Sequence, residues 1–196
     1  CIRDSGREES EITGLVDPGS GCCLILTRVA EERGLHGRDV TISITTVNDT
    51  VIRNTKVYIV EIISVTGVRE MIRAYGIENI SSPILAIETE GVKHLFKQET
   101  QNNWDKIDQR PCGSEVELLI GGDRARMFPT VVDRVDDLVI LKTEFGNGYM
   151  MHGYHPGIVV RDEKGTYVNN AVELQAVING EAQLLRQASV KATAVN

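Results

Sequence analysis

Apolar and polar positions alternate in short runs along most of this chain, and the runs are punctuated by Gly, Pro, Asn and Asp. Ile12 to Val16 is a brief apolar run, interrupted by Asp17-Pro18-Gly19-Ser20-Gly21 and resumed from Cys22 to Leu26. That order predicts strand, turn and strand. Thr27 is placed to cap a brief helix through Val29, Ala30 and Glu32, which Gly34 ends. From Val40 the residues Val40, Ile42 and Ile44 alternate with Thr41, Ser43 and Thr45, and Val57 to Ile63 is a near-continuous β-branched run. Around a polar tip at Asn48-Asp49-Thr50 the two make a long β-hairpin. Gly67 marks the next turn, and Met71 to Tyr75 the strand that returns from it.

Residues 77–115 are less regular and read as an insertion, with one short helix around Val92 to Lys97. Phe96 and Trp104 anchor a local core inside it. Val116 to Ile120 reads as a compact buried strand ended by Gly121-Gly122-Asp123. Leu138 to Thr143 is one more strand before a Gly-rich segment from Phe145 to Gly157, with Tyr149-Met150-Met151 inside the last strand. The tail from Asn170 to Ala188 carries a loose helical period and is expected to be a linker helix. The expected organisation is therefore a polar leader at 1–11, one domain at 12–157, and a C-terminal linker at 158–196.

Composition narrows the class. With 41% hydrophobic and 25% charged residues the chain is globular rather than disordered. A formal net charge of −7, with no stripe of Lys and Arg, argues against a nucleic-acid surface. No apolar run has the length to span a bilayer, and the opening residues lack a signal-peptide pattern, so no membrane partner is expected. The start without Met, and the Arg, Glu, Ser and Asp of residues 3–11, read as a stretch cut from a longer precursor. Cys1, Cys22, Cys23 and Cys112 show neither CxxC nor secretory spacing. Reduced thiols in a cytoplasmic setting are expected, with Cys22 and Cys23 acting as small core hydrophobes. His152 and His155, three apart in a Gly-rich segment, fit no zinc signature, so neither metal nor cofactor is expected.

Chemistry concentrates at Asp17. An acid protease activates water between two carboxylates that share one proton, since like charges so close cannot both ionise. Each half needs an Asp on a tight turn held by buried strands, with Gly two residues on so that the backbone turns sharply and leaves the carboxylate uncovered. Leu15-Val16-Asp17-Pro18-Gly19-Ser20 has that form, and Leu118-Leu119-Ile120-Gly121-Gly122-Asp123 supplies a second apolar strand before glycine.

On these residues the chain resembles the retropepsin-like peptidases of Pao-type (BEL/Pao) retrotransposon polyproteins, over roughly residues 12–157. The matching stretches are Asp17-Pro18-Gly19-Ser20, Thr27 to Leu35, Val40 to Ile63, Leu118 to Asp123, and Thr143-Glu144-Phe145-Gly146-Asn147-Gly148 onward to Gly153. The resemblance implies a closed antiparallel β-barrel of the retropepsin type, with an insertion and the linker helix. It implies a catalytic turn of Asp17, Pro18, Gly19 and Ser20 beside a supporting strand of Leu119, Ile120 and Gly121, under a flap whose tip is Asn48, Asp49 and Thr50. It implies one catalytic Asp per chain, hence a homodimer, with a peptide or polyprotein as substrate and Asp123 structural. Two departures stand out. Pro18 replaces a Ser or Thr whose hydroxyl bonds across the dimer axis, which implies a weaker dimer, and the flap tip has no glycine, which implies a stiffer flap. The expected function is an aspartic endopeptidase; the alternative is a catalytically impaired dimerisation or peptide-binding module.

Overall fold

The computed structural model describes residues 2–3, 10–45, 50–81, 86–107, 115–153, 155, 157–161 and 167–168. Its elements are β1 (Ile2–Arg3), β2 (Gly14–Val16), β3 (Cys23–Leu26), α1 (Thr27–Glu32), β4 (Arg38–Thr45), β5 (Thr50–Ile63) and β6 (Arg69–Ile77). There follow β7 (Ala86–Glu88), a 3-10 turn (Glu90–Leu95), α2 (Gln98–Gln101), a second 3-10 turn (Trp104–Lys106) and β8 (Leu118–Ile120). After a third 3-10 segment (Gly122–Met127) come β9 (Thr130–Val135), β10 (Leu138–Lys142), β11 (Tyr149–His152), β12 (Val159–Arg161) and β13 (Tyr167–Val168). The protein is mostly β.

The main sheet has seven strands, with β5, β6, β3, β8 and β2 side by side, and β1 and β4 both on β5. Val57 pairs with Arg38 of β4 and with Tyr75 of β6, so those two strands flank β5 on opposite sides. Two pairings are parallel, β3 with β6 and β2 with β8. Among the described residues the outer strands do not meet, so the expected closed antiparallel barrel is corrected to an open, mixed sheet. Pairing through parallel neighbours leaves β2 at one edge and β1 with β4 at the other.

Both faces of the central strands are covered, which explains why Cys23–Leu26 and Leu118–Ile120 read as unbroken apolar runs. Strand alternation sorts them. Cys23, Ile25, Leu118, Ile120, Ile72 and Ala74 join Tyr58, Val60 and Ile62 in one core. On the opposite face, Cys22, Leu24 and Leu119 pack with Leu15, Ile44, Tyr75, Ile77 and Ile80. Helix α1 closes in a Schellman motif: Leu35 N–H bonds Ala30 O, Gly34 N–H bonds Glu31 O, and Gly34 sits at φ 68°. Its start differs from expectation, since Leu26 rather than Thr27 is the N-cap and no side chain caps it.

A second core joins the insertion to the late strands. Val92, Phe96, Trp104 and Ile107 pack on Leu138, Ile140 and Ile158, and the rings of Phe96 and Trp104 lie 5.6 Å apart. The local core expected around Trp104 and Phe96 is present, and it is shared with β10. Asp133 of β9 ties this unit together. Its buried carboxylate accepts bonds from Thr100 Oγ1 (2.6 Å), Arg134 N (2.9 Å) and Lys97 N (3.1 Å). The domain runs past residue 157, the expected boundary, because Ile158 is buried in this core and β12 pairs with β7. The expected linker helix at 170–188 lies outside the described residues. Among the described residues no helix is long and apolar enough to cross a membrane.

Candidate active site

Strands β2 and β3 flank the Asp17 turn, yet they do not pair with each other. β8 lies between them, parallel to β2 (Val16 opposite Ile120) and antiparallel to β3 (Leu24 opposite Leu119). The turn therefore arches over the end of β8 and is bonded on both sides of that end, by Asp17 N to Ile120 O of β8 (3.0 Å) and by Gly122 N of the next segment to Ser20 O (2.7 Å). Gly121 is required for this approach. A Cβ there would lie 2.3 Å from the carbonyl oxygen of Cys22, inside any tolerable contact. Leu119, Ile120 and Gly121, the residues expected to support the turn, stand directly beneath it.

Within the turn, Ser20 N–H donates to Asp17 O (3.2 Å), and Gly19 N–H donates to Asp17 Oδ1 (2.8 Å). This is a β-turn with Pro18 at its second position, where a fixed φ is favoured and no N–H is needed. Gly19 lies in the tight turn without a positive φ and supplies its amide to the carboxylate. One detail of the sequence reading is corrected: the carboxylate is not uncovered, since Asp17 is 7% exposed and its Oδ2 is buried without a hydrogen-bond partner.

That orphan oxygen dominates the electrostatics. Burial raises the pKa of Asp17 above the ordinary carboxyl range, and the Gly19 and Ser20 amides pull the other way. A carboxyl with one oxygen fixed and the other desolvated and unpaired is poised to hold or share a proton. The same burial makes the neighbouring thiols inert, since Cys22 and Cys23 are both pushed up to about 12. Cys23 Sγ lies 3.2 Å from Asp123 Oδ1 and 3.4 Å from Gly121 N. Asp123 thus lies beyond β8 and braces a core thiol, in agreement with a structural role.

Alternation along β2 places Asp17 on the Leu15 side of the sheet, the face that carries Leu24 and Leu119. Ile44 of β4 packs on this same face, so the β4–β5 hairpin overhangs it. From Lys56 toward the tip the described backbone of β5 pairs with β4 and no longer with β6, with Thr45 opposite Thr50, while the Thr55 hydroxyl still donates to the Gly76 carbonyl of β6 (2.7 Å). Thr50, expected at the tip, is the first residue of β5, while the tip residues Asn48 and Asp49 lie outside the described residues. Where hairpin and sheet diverge, a groove of about 820 Å³ opens between Ile42, Ile44 and Arg53 on one wall and Gly76, Ile77 and Glu78 on the other. Asp17 does not line it. The apolar face links the two, because Ile44 and Ile77 belong to both.

No family model, curated protein or solved structure matches this chain, so its chemistry is read from this geometry.

Proposed function

We propose that the protein is an aspartic endopeptidase of the retropepsin-like kind, active as a homodimer in which each chain supplies Asp17, and that it processes a polyprotein containing it. The observation that carries this is the Asp17 turn: a buried carboxyl with one orphan oxygen, arched over a strand inserted between its own flanking strands. One chain offers one such turn. A second copy facing it across a twofold axis supplies the missing partner for Oδ2, and the paired carboxyls share a proton and activate water. One carboxylate then accepts the proton of the attacking water while the other, protonated, donates toward the peptide oxygen.

The overhanging hairpin and the groove suit an extended substrate. From β6 to β2 the sheet spans three strand spacings, about 14 Å, or about four residues of extended peptide. Leu24 and Leu119 on this face are already buried beneath Ile44 and Ile77, so a peptide takes its contacts from the groove walls and from the partly exposed Leu15 beside the turn. Cleavage of a precursor containing this segment tests the proposal. Wild type is expected to cleave it, with an optimum on the acidic to near-neutral side and activity rising faster than linearly with protein concentration. Asp17→Asn is expected to fold and not to cleave. A folded, dimeric wild type without cleavage points to the binding module instead.

A further inference from the structure

Position 18 is where a hydroxyl brace is missing, since Pro18 has neither hydroxyl nor N–H. Two residues on, the structure holds a hydroxyl that the sequence reading assigned only to the turn. Ser20 is 1% exposed, and its Oγ donates to the carbonyl of Cys22 at 2.9 Å. Ser20 is bonded at every polar group it has: its amide to Asp17 O, its carbonyl from Gly122 N, and its hydroxyl to Cys22 O. The Cys22 carbonyl is in turn fixed from the other side by Gly121, whose missing side chain lets the two backbones touch.

These contacts form a closed ring. The end of β8 grips the turn at Ile120 and the start of the following 3-10 segment at Gly122, Gly121 between them meets Cys22, and the Ser20 hydroxyl returns from Cys22 to the turn. The Gly19 amide that holds Asp17 Oδ1 lies inside that ring, one residue before Ser20. We propose that Ser20 is the positioning residue for Asp17, bracing the active-site turn within each chain where the family pattern braces it between chains. This rests on the reading of Asp17 as the catalytic carboxyl. It also changes what Pro18 means: the turn is held without its partner, so a residue with no hydroxyl is acceptable there.

Losing the Ser20 hydroxyl leaves the Cys22 carbonyl without its donor in a buried site, and the turn relaxes at Gly19. The test uses the full chain and three variants, Ser20→Ala, Ser20→Thr and Asp17→Asn. Two readouts are taken: peptide cleavage, and titration of the Asp17 carboxyl carbon by NMR, assigned by its absence in Asp17→Asn. In Ser20→Ala, kcat is expected to fall roughly ten- to a hundredfold with KM little changed, as for a small misplacement of a reacting group. The Asp17 titration is expected to move upward, because the weakened Gly19 amide had been lowering it. Ser20→Thr restores both. If Ser20→Ala does not fold, Ser20→Cys puts a weaker donor in the same place and is expected to shift both readouts in the same directions.

An unchanged Asp17 titration in Ser20→Ala overturns the proposal, even if global stability falls, since stability alone reports only packing. So does a shift that Ser20→Thr fails to reverse. If the wild type cleaves nothing, the peptidase reading fails separately, and the NMR titration still decides whether Ser20 orients Asp17.

Discussion

Asp133 sits where a strand pattern is least expected to carry a charge, and replacing it by Asn has a cost that the geometry defines. Both the Thr100 hydroxyl and the Lys97 amide bond Oδ2, while the Arg134 amide bonds Oδ1. An Asn can place its oxygen at the Oδ2 position and keep two bonds, now neutral and about half as strong. Its NH2 then faces the Arg134 amide, donor against donor. Leaving one buried donor unmet costs about 1–3 kcal/mol, and weakening two charge-assisted bonds adds about 1 kcal/mol each. Removing a buried charge recovers part of this, so Asp133→Asn is expected to lose about 2–4 kcal/mol. The Lys97 ammonium, 3.6 Å away on a side chain that is 77% exposed, adds little. Burial alone would raise the Asp133 pKa, but the bonds from Thr100, Lys97 and Arg134 outweigh it and hold it below the usual carboxyl range. Its contribution is therefore fully present above the unfolded Asp pKa of about 4 and is lost as pH falls through the lower folded value. The assay is urea unfolding followed through Trp104, the single tryptophan, which is buried in this core. A gap between wild type and variant below about 0.5 kcal/mol at pH 7, or a gap that stays constant down to acid unfolding, refutes the reasoning.

Three further outcomes are expected. Cys22 and Cys23, with thiols pushed up to about 12 in a buried strand, should resist alkylation at neutral pH in the native protein and react after unfolding, as peptide mapping would show; prompt native labelling of either contradicts the packing described. Gly121→Ala, which forces a Cβ to 2.3 Å from the Cys22 carbonyl, should lose about 1–3 kcal/mol or more together with any cleavage activity, a loss that urea unfolding would detect. Asp17→Asn should gain stability relative to wild type as pH rises from 4 to 8. The raised Asp17 pKa means that its favourable contribution is complete below the unfolded value and is lost as pH rises through the folded one, a cost the amide does not carry. Parallel melting curves for the two proteins across that range would show that Asp17 is not desolvated.

Much of the main sheet was legible because its strands are buried on one or both faces and bounded by strong turn formers. Cys22 to Leu26, Val40 to Thr45, and Val116 to Ile120 fall on β3, β4 and β8 within a few residues of their limits, and the run from Val57 to Ile63 is the second half of β5, which begins earlier at Thr50. β9 was not legible. Asp133 and Arg134 interrupt its apolar pattern, and a bulge between Ile140 and Leu141 shifts its register against β10. The donors that make a buried Asp133 tolerable come from residues 33 and 36 positions away, which no local pattern reveals. Asp136-Asp137, with Asp136 at φ 51°, was the available hairpin signal. Sheet closure was likewise beyond the sequence, since it depends on which neighbours pair in parallel. At the site, Asp17 and the strand beneath it could be read from the pattern of apolar runs and glycines. The bond from the Ser20 hydroxyl to the Cys22 carbonyl, two residues on, left no mark in the apolar pattern, and the grip of the Gly122 amide on the Ser20 carbonyl comes from about a hundred residues downstream.

Mixing wild type with Asp17→Asn at fixed total protein tests the central claim most directly. If each active site takes one Asp17 from each of two chains, mixed dimers are inactive, and cleavage falls as the square of the wild-type fraction. Cleavage that falls in direct proportion to that fraction, or that persists in Asp17→Asn alone, contradicts a shared two-chain site.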